Sequence, residues 1–361
     1  MKLSNKIVLI TLMIFLNFTA FGQHVHMIDG GNDFAGIYNT KALKAFHKLK
    51  WKFQTNGLCY GPPIVVDSIL YVGDVGNYLH AININSGTEI WNYKTGDRVM
   101  SCPTICQDMA IFGSIDGYLY CLNKNNGNEI WKFKTGSGAA CTPPSLKDNK
   151  LYFGSHDKFM YILDVLSGKE INKIDMGYAV CSSISIDEHN LYVSDWGGYL
   201  SCFNSDSLKL NWKYQAHKKS YETPSIDNEN VYYSNFDSTV TALNKASGKV
   251  LWSIKVNSIP FRVGIYKDLA FFNTDSTQLF VLNKKTGQSK WTFKGNGQTW
   301  SRAIIAEDVF YFGGGDNFIY ALDALTGKEL WKFKSDDKVL RPAVYDAVVY
   351  FGSGNFIYAI E

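Results

Sequence analysis

An all-β fold built from eight repeated four-stranded units is predicted by two observations in the 361-residue sequence. The first is a tryptophan that recurs at positions 51, 91, 131, 212, 252, 291 and 331, with Asn172 at the one mark that lacks an indole, so that successive marks lie 39 to 41 residues apart. The second is what fills each interval. Three short runs rich in Val, Ile, Tyr and Phe precede a fourth that carries the tryptophan, and all are bounded by Asp, Asn, Gly or Ser, the signal of strands joined by turns. Four antiparallel strands in about 40 residues make one blade of a β-propeller, and a blade is stable only when neighbours cover its faces. The recurring indole is therefore read as blade-to-blade packing. It removes ~150–250 Å² from water, roughly 4–6 kcal/mol before entropy is subtracted.

Taken in order, residues 1–22 read as a secretory signal peptide. Lys2 and Lys6 precede an apolar run from Ile7 to Leu16, and Ala20-Phe21-Gly22 supplies the small residues of a cleavage site before Gln23. That run is too short to span a bilayer, which takes about 20 residues, so no transmembrane segment is expected. No cysteine precedes Cys59, so no lipid-attachment cysteine is available at the new N-terminus. Residues 23–50 form a pre-blade segment, turn-rich at Asp29–Asp33, in which Thr40–Lys50 reads as a short helix. The ring then occupies 51–361. It opens with the fourth strand of a blade, around Trp51, and its last runs, Leu340–Val344, Val348–Gly352 and Phe356–Glu361, supply the three strands that blade lacks. One N-terminal and three C-terminal strands thus close the ring and leave no sheet edge at the seam.

Composition supports a strand-rich domain, with 15% aromatic and 19% charged residues. A net charge of +3 gives no support to a polyanionic partner, and no nucleic acid is expected. The seven cysteines are read as buried free thiols, because Cys121 and Cys202 stand where other units carry Ala242, Ala321 and Ala359; a Cys102–Cys106 or Cys106–Cys121 disulfide is the alternative. The seven histidines are scattered, His24 and His26 falling in a mobile N-terminal stretch, and no metal site is expected. No nucleophile-elbow, zinc-protease or phosphate-loop motif appears, so no catalytic residues are assigned. Asp116-Gly117 and Asp316-Asn317 are read as turns between second and third strands.

What the repeat does not require collects at one register. Aligned at the start of the innermost strand, the units carry Pro62, Cys102, Pro143, Ser182, Thr223, Arg262, Arg302 and Arg341, which predicts three arginines at one height of the central channel. Two residues earlier, on the same face by strand alternation, stand Tyr60, Tyr221 and Trp300, and Trp196 belongs to the same end of the ring. Arginine suits carboxylate or phosphate, and aromatics supply stacking area. The expected ligand at this mouth is anionic or peptide-like; the competing reading leaves the arginines solvated or pairs them with Glu222 and Asp side chains.

The unit YALDALTGKELW, Tyr320–Trp331, resembles the pyrroloquinoline-quinone (PQQ)-like propeller repeat nearly verbatim, and NDFAGIYNTKAL resembles the lead-in of its exported members. Unit number and length further resemble the BamB-like assembly propellers of that family. The resemblance implies a non-enzymatic, monomeric scaffold in the cell envelope, periplasmic or secreted, with envelope proteins, outer-membrane assembly machinery among them, as partners. It also reaches quinone-dependent dehydrogenases, which resemble one another in a vicinal Cys-Cys pair and a calcium beside a catalytic aspartate. No two cysteines are adjacent here and no such ligand set is recognisable, so neither PQQ nor dehydrogenase activity is expected. The alternative to the scaffold is a ligand-binding module acting at the channel mouth.

Overall fold

A computed structural model describes residues 34–136 and 142–361, together with Gly31 and the backbone of Val25–His26. The expected signal peptide, His24 and Cys141 lie outside the described residues. Eight blades of four antiparallel strands form the ring; seven run from an inner to an outer strand in chain order, and the sheet of blade 2 gains Val25–His26 as a fifth strand at its inner edge. Blade 1 comprises Ile64–Val66, Ile69–Gly73, Tyr78–Asn83 and Glu89–Lys94, and blades 2 to 7 repeat it. Blade 8 is the shared one. Val339–Tyr345, Val348–Ser353 and Phe356–Ile360 are completed by Leu49–Gln54, with Trp51 opposite Ala359 and Leu49 opposite Ile360. The eight-bladed all-β propeller, with its N- and C-terminal closure, is as the repeat predicts. Among the described residues there is no helix.

The tryptophans work as the period implies, in a more specific way. Six of the seven repeat indoles donate Nε1 to a backbone carbonyl of the following blade: Trp51 to Ile84 at 2.7 Å, Trp91 to Lys124 at 3.0 Å, Trp252 to Lys284 at 2.9 Å, and likewise at Trp131, Trp212 and Trp291. The turn glycine of that blade lies against the ring face. A Cβ on Gly87, Gly127, Gly168, Gly248, Gly287 or Gly327 would come within 2.6–2.8 Å of the facing indole, and all six have positive φ. Tryptophan and glycine therefore form one joint across each interface. Where Asn172 replaces the indole, the glycine is gone too. Leu208 stands in its place at φ 57° and packs into the core between blades 3 and 4.

The pre-blade segment departs from expectation, because residues 40–50 are not helical. Ala42, Leu43 and Phe46 fold onto the core between blades 7 and 8, and the backbone is committed to that docking. Ala42 N donates to Glu307 Oε2, and Leu43 O accepts from both Tyr311 Oη and Trp331 Nε1. Upstream, the segment lies along the free edges of the inner strands. Ile265 N donates to Ala35 O at 2.8 Å, Ile305 N to Gly36 O at 2.9 Å and Ser225 Oγ to Phe34 O at 3.0 Å. Val25–His26 pairs with Thr104–Cys106 of blade 2, which gives His26 a place in a sheet in contrast to the expected mobile stretch. Cys59, Cys102, Cys106, Cys121, Cys181 and Cys202 are buried free thiols, so neither candidate disulfide forms. Burial pushes Cys59 and Cys121 up to about 12 and Cys202 to about 11, so none of these three is thiolate at neutral pH.

Candidate functional site at the channel mouth

The inner strands begin at one end of the ring, and the residues that lead into them line a cavity of about 460 Å³. Tyr60, Pro62, Cys102, Pro143, Tyr221, Thr223, Trp300, Arg302 and Arg341 all face it, as the register predicts. Blade 4 is one residue out. Ser185 pairs with Tyr192 as Ser225 pairs with Tyr232, so Ser183 is the counterpart of Thr223 and lines the cavity, while Ser182 turns away and donates to Ser194 O. Met100 and Cys181 complete the wall. Trp300 is 56% exposed, a large apolar side chain held at the opening.

The three arginines do not act as one set. Arg302 is clamped by Glu222, with Nε 2.9 Å from Oε2 and Nη2 3.1 Å from Oε1. Glu222 stands where other blades have Ser101 or Ser301, and it also accepts the backbone N–H of Arg262 at 3.0 Å. Both ends of the pair are nearly buried, with side chains 12% and 10% exposed. The reading that paired the arginines with Glu222 thus holds for Arg302. Arg262 does not reach the mouth. It is 4% exposed, and its guanidinium lies 5.9 Å from the ring of Phe34, on the side where the lead-in runs. The docked lead-in supplies an aromatic face that the register alone does not reveal, and the side chain turns to it. Arg341 lines the cavity beside Arg302.

Trp196 does not line the cavity either. It stands on the rim behind Tyr221, its ring centroid 5.1 Å away and edge-on, with Phe236 on the other side of Tyr221 at 4.8 Å. Phe236 escaped the sequence reading, where it is an ordinary turn residue, whereas Glu222 is legible there as an acid at a register that carries Ser101 and Ser301 in other blades.

The sequence matches the family described as Outer membrane protein assembly factor BamB over residues 43–253, 180–292 and 237–361. The chain belongs to the BamB family. Among solved structures, BamB from Moraxella catarrhalis superposes with a TM-score of 0.73 at 12% identity, covering 87% of this chain and 99% of that one. The computationally designed Ika8 protein gives 0.77 at 14% identity, with 87% and 99% covered. Quinohemoprotein alcohol dehydrogenase from Comamonas testosteroni gives 0.73 at 13%, with 87% and 76% covered. At these identities the likeness shows the propeller alone, shared by an assembly factor, a design and an enzyme. Among curated proteins, none matches the sequence.

The dehydrogenase neighbour makes a quinone worth testing against this BamB-family mouth. Among the described residues its cysteines are Cys102 and Cys181, which belong to blades 2 and 4 and are not a vicinal pair. The acid that reaches the arginines, Glu222, is committed to Arg302 and the Arg262 backbone. These residues do not fit a quinone seated with calcium.

Proposed function

We propose that this BamB-family propeller is an exported, non-enzymatic scaffold that docks other proteins of the cell envelope, outer-membrane assembly components among them. The observation that carries the reading is the family match, which runs across the ring from residue 43 to 361. The signal-peptide pattern of residues 1–22 supports export to the periplasm or beyond, and no helix of the described residues is long and apolar enough to cross a membrane. Crosslinking the mature protein in its native envelope, followed by mass spectrometry, tests this. Capture of outer-membrane assembly proteins at loops of the ring supports docking, and capture of no envelope protein overturns it.

A second reading is favoured by the cavity itself. An opening of about 460 Å³ lined by Arg302 and Arg341 of two adjacent blades together with Tyr60, Tyr221 and the exposed Trp300 suits a small anionic or peptide-like ligand. Arg302→Gln with Arg341→Gln is expected to abolish the shift in melting temperature that such a ligand gives the native protein. An unchanged shift removes this reading.

A further inference from the structure

Beside the cavity, the rim of blades 4 and 5 holds three aromatic rings around a single ammonium group. Trp196 comes from the turn between second and third strands of blade 4, Phe236 from the same turn of blade 5, and Tyr221 from the segment entering the inner strand of blade 5. Lys219 Nζ lies 5.0 Å from the Trp196 ring, 5.1 Å from Tyr221 and 5.9 Å from Phe236. All three are within the ~6 Å over which a cation is held by an aromatic face. The rings are braced against one another, with Tyr221 meeting Trp196 at 89° and Phe236 at 76°.

This arrangement is not a by-product of the repeat. Among the described residues no other lysine meets more than two rings, and those that meet two are cross-strand neighbours of a tyrosine: Lys52 of Tyr358, Lys173 of Tyr161, Lys332 of Tyr320. Lys219 belongs to no strand. At the turn position of Trp196 and Phe236 the other blades carry Val75, Ile115, Asp275 and Gly315 as well as His156, so neither ring is needed for the fold. Acidic residues adjoin two of the rings in sequence. Asp195 and Asp237 are the chain neighbours of Trp196 and Phe236, and each encloses a carboxylate oxygen that accepts no hydrogen bond from a described residue. The lysine is a loosely held occupant. Its backbone is fixed by the Phe236 N–H, which donates to Lys219 O at 3.1 Å, but the residue is exposed and its ammonium sits at the end of a flexible four-carbon stem.

We propose that Trp196, Tyr221 and Phe236 form an alkylammonium-binding site that Lys219 occupies in the free protein and yields to an incoming ligand. The ligand group is a lysine ammonium or a quaternary ammonium. The site goes beyond the docking reading and does not depend on it, because it is assayed on the purified protein with small probes.

Calorimetric titration of the mature protein with choline and with Nα-acetyl-lysine methylamide tests it, with 3,3-dimethylbutanol as the uncharged isostere of choline. Lys219→Ala is expected to tighten binding of at least one cationic probe by about tenfold, since an occupant present nine-tenths of the time raises the apparent Kd by that factor. Trp196→Ala in the Lys219→Ala background is expected to abolish the binding, while Trp300→Ala leaves it intact. Binding of choline alone assigns a quaternary ammonium, and binding of the lysine derivative assigns a side chain of a protein partner. No binding of either cation to a Lys219→Ala protein with native melting behaviour overturns the proposal. So does equal binding of the uncharged isostere, or binding that survives Trp196→Ala.

Discussion

Two ionisable residues set local properties that the rest of the ring only frames. Glu222 holds Arg302 in a nearly dry pair, and removing one partner of such a pair strands the other charge. Glu222→Gln is therefore expected to destabilise the ring by about 3 kcal/mol, and Arg302→Met added to it to recover most of the loss. Denaturant titration of the three proteins measures this, and additive losses would refute the coupling. His80 sits between Glu89 Oε1 at 2.6 Å and Asp74 Oδ2 at 3.1 Å, while Asp74 also accepts the backbone N–H of Asn56 in the connection from blade 8 to blade 1. Burial alone lowers the pKa of this imidazole, but its hydrogen bonds to Asp74 and Glu89 outweigh burial and hold it above its ordinary value. A raised folded-state pKa contributes stability that is complete below about 6.5, the unfolded value. That stability is lost as pH climbs through the folded pKa. The melting temperature should fall more steeply from pH 6 to 9 in the native protein than in His80→Tyr, which installs the tyrosine found at the equivalent positions 120, 161 and 320. Parallel pH profiles would remove the role assigned to His80. The three-arginine register was legible because strand alternation places side chains by count alone. The pairing of Glu222 with an arginine was legible too, but the turn of Arg262 toward Phe34 was not, because it depends on which segment lies across the channel.

At the scale of the element, the joint between tryptophan and glycine explains why the period is so well kept. Changing either partner leaves a cavity or a clash, so the two change together, as Asn172 and Leu208 do. Trp252→Ala is expected to cost about 3–5 kcal/mol. Asn172→Trp should also destabilise, because the new indole meets Leu208, whereas Asn172→Trp with Leu208→Gly should restore the joint and exceed the native stability. A double-mutant cycle by thermal denaturation reads the coupling. If the single and double changes add, the two positions are independent. The tryptophan half of this joint was plain in the sequence. The leucine half was not, because a leucine gives no sign of the left-handed turn it is made to occupy. The short helix expected over residues 40–50 failed for a related reason: its apolar residues find a ready core on blades 7 and 8, and its Leu43 carbonyl finds Tyr311 and Trp331. Local propensity yields to such partners.

For the whole molecule, the ring is closed by strands far apart in sequence, and its last interface, at Trp331, is completed by Leu43 of the lead-in in place of a blade turn. Replacing Ala359 by Asp puts a charge opposite Trp51 in the seam, where Ala359 is fully buried. The change is expected to abolish cooperative thermal unfolding, which near-ultraviolet circular dichroism would follow; a single sharp transition at the native temperature would contradict a closure that every blade depends on. The eightfold architecture was legible because each blade repeats the same solution, and an error at one unit is corrected by the other seven. The path of the lead-in occurs once, so no repetition revealed it.

The closing pair also decides how the ring responds to force. Leu49 lies opposite Ile360, and Lys48 exchanges backbone hydrogen bonds with Glu361, so the two chain segments leave the seam side by side. A load applied between residues 48 and 361 therefore peels the pair like a zipper, one rung at a time, instead of shearing all its rungs together. Pulled from there, the ring opens at its seam while the seven continuous blades keep their shape.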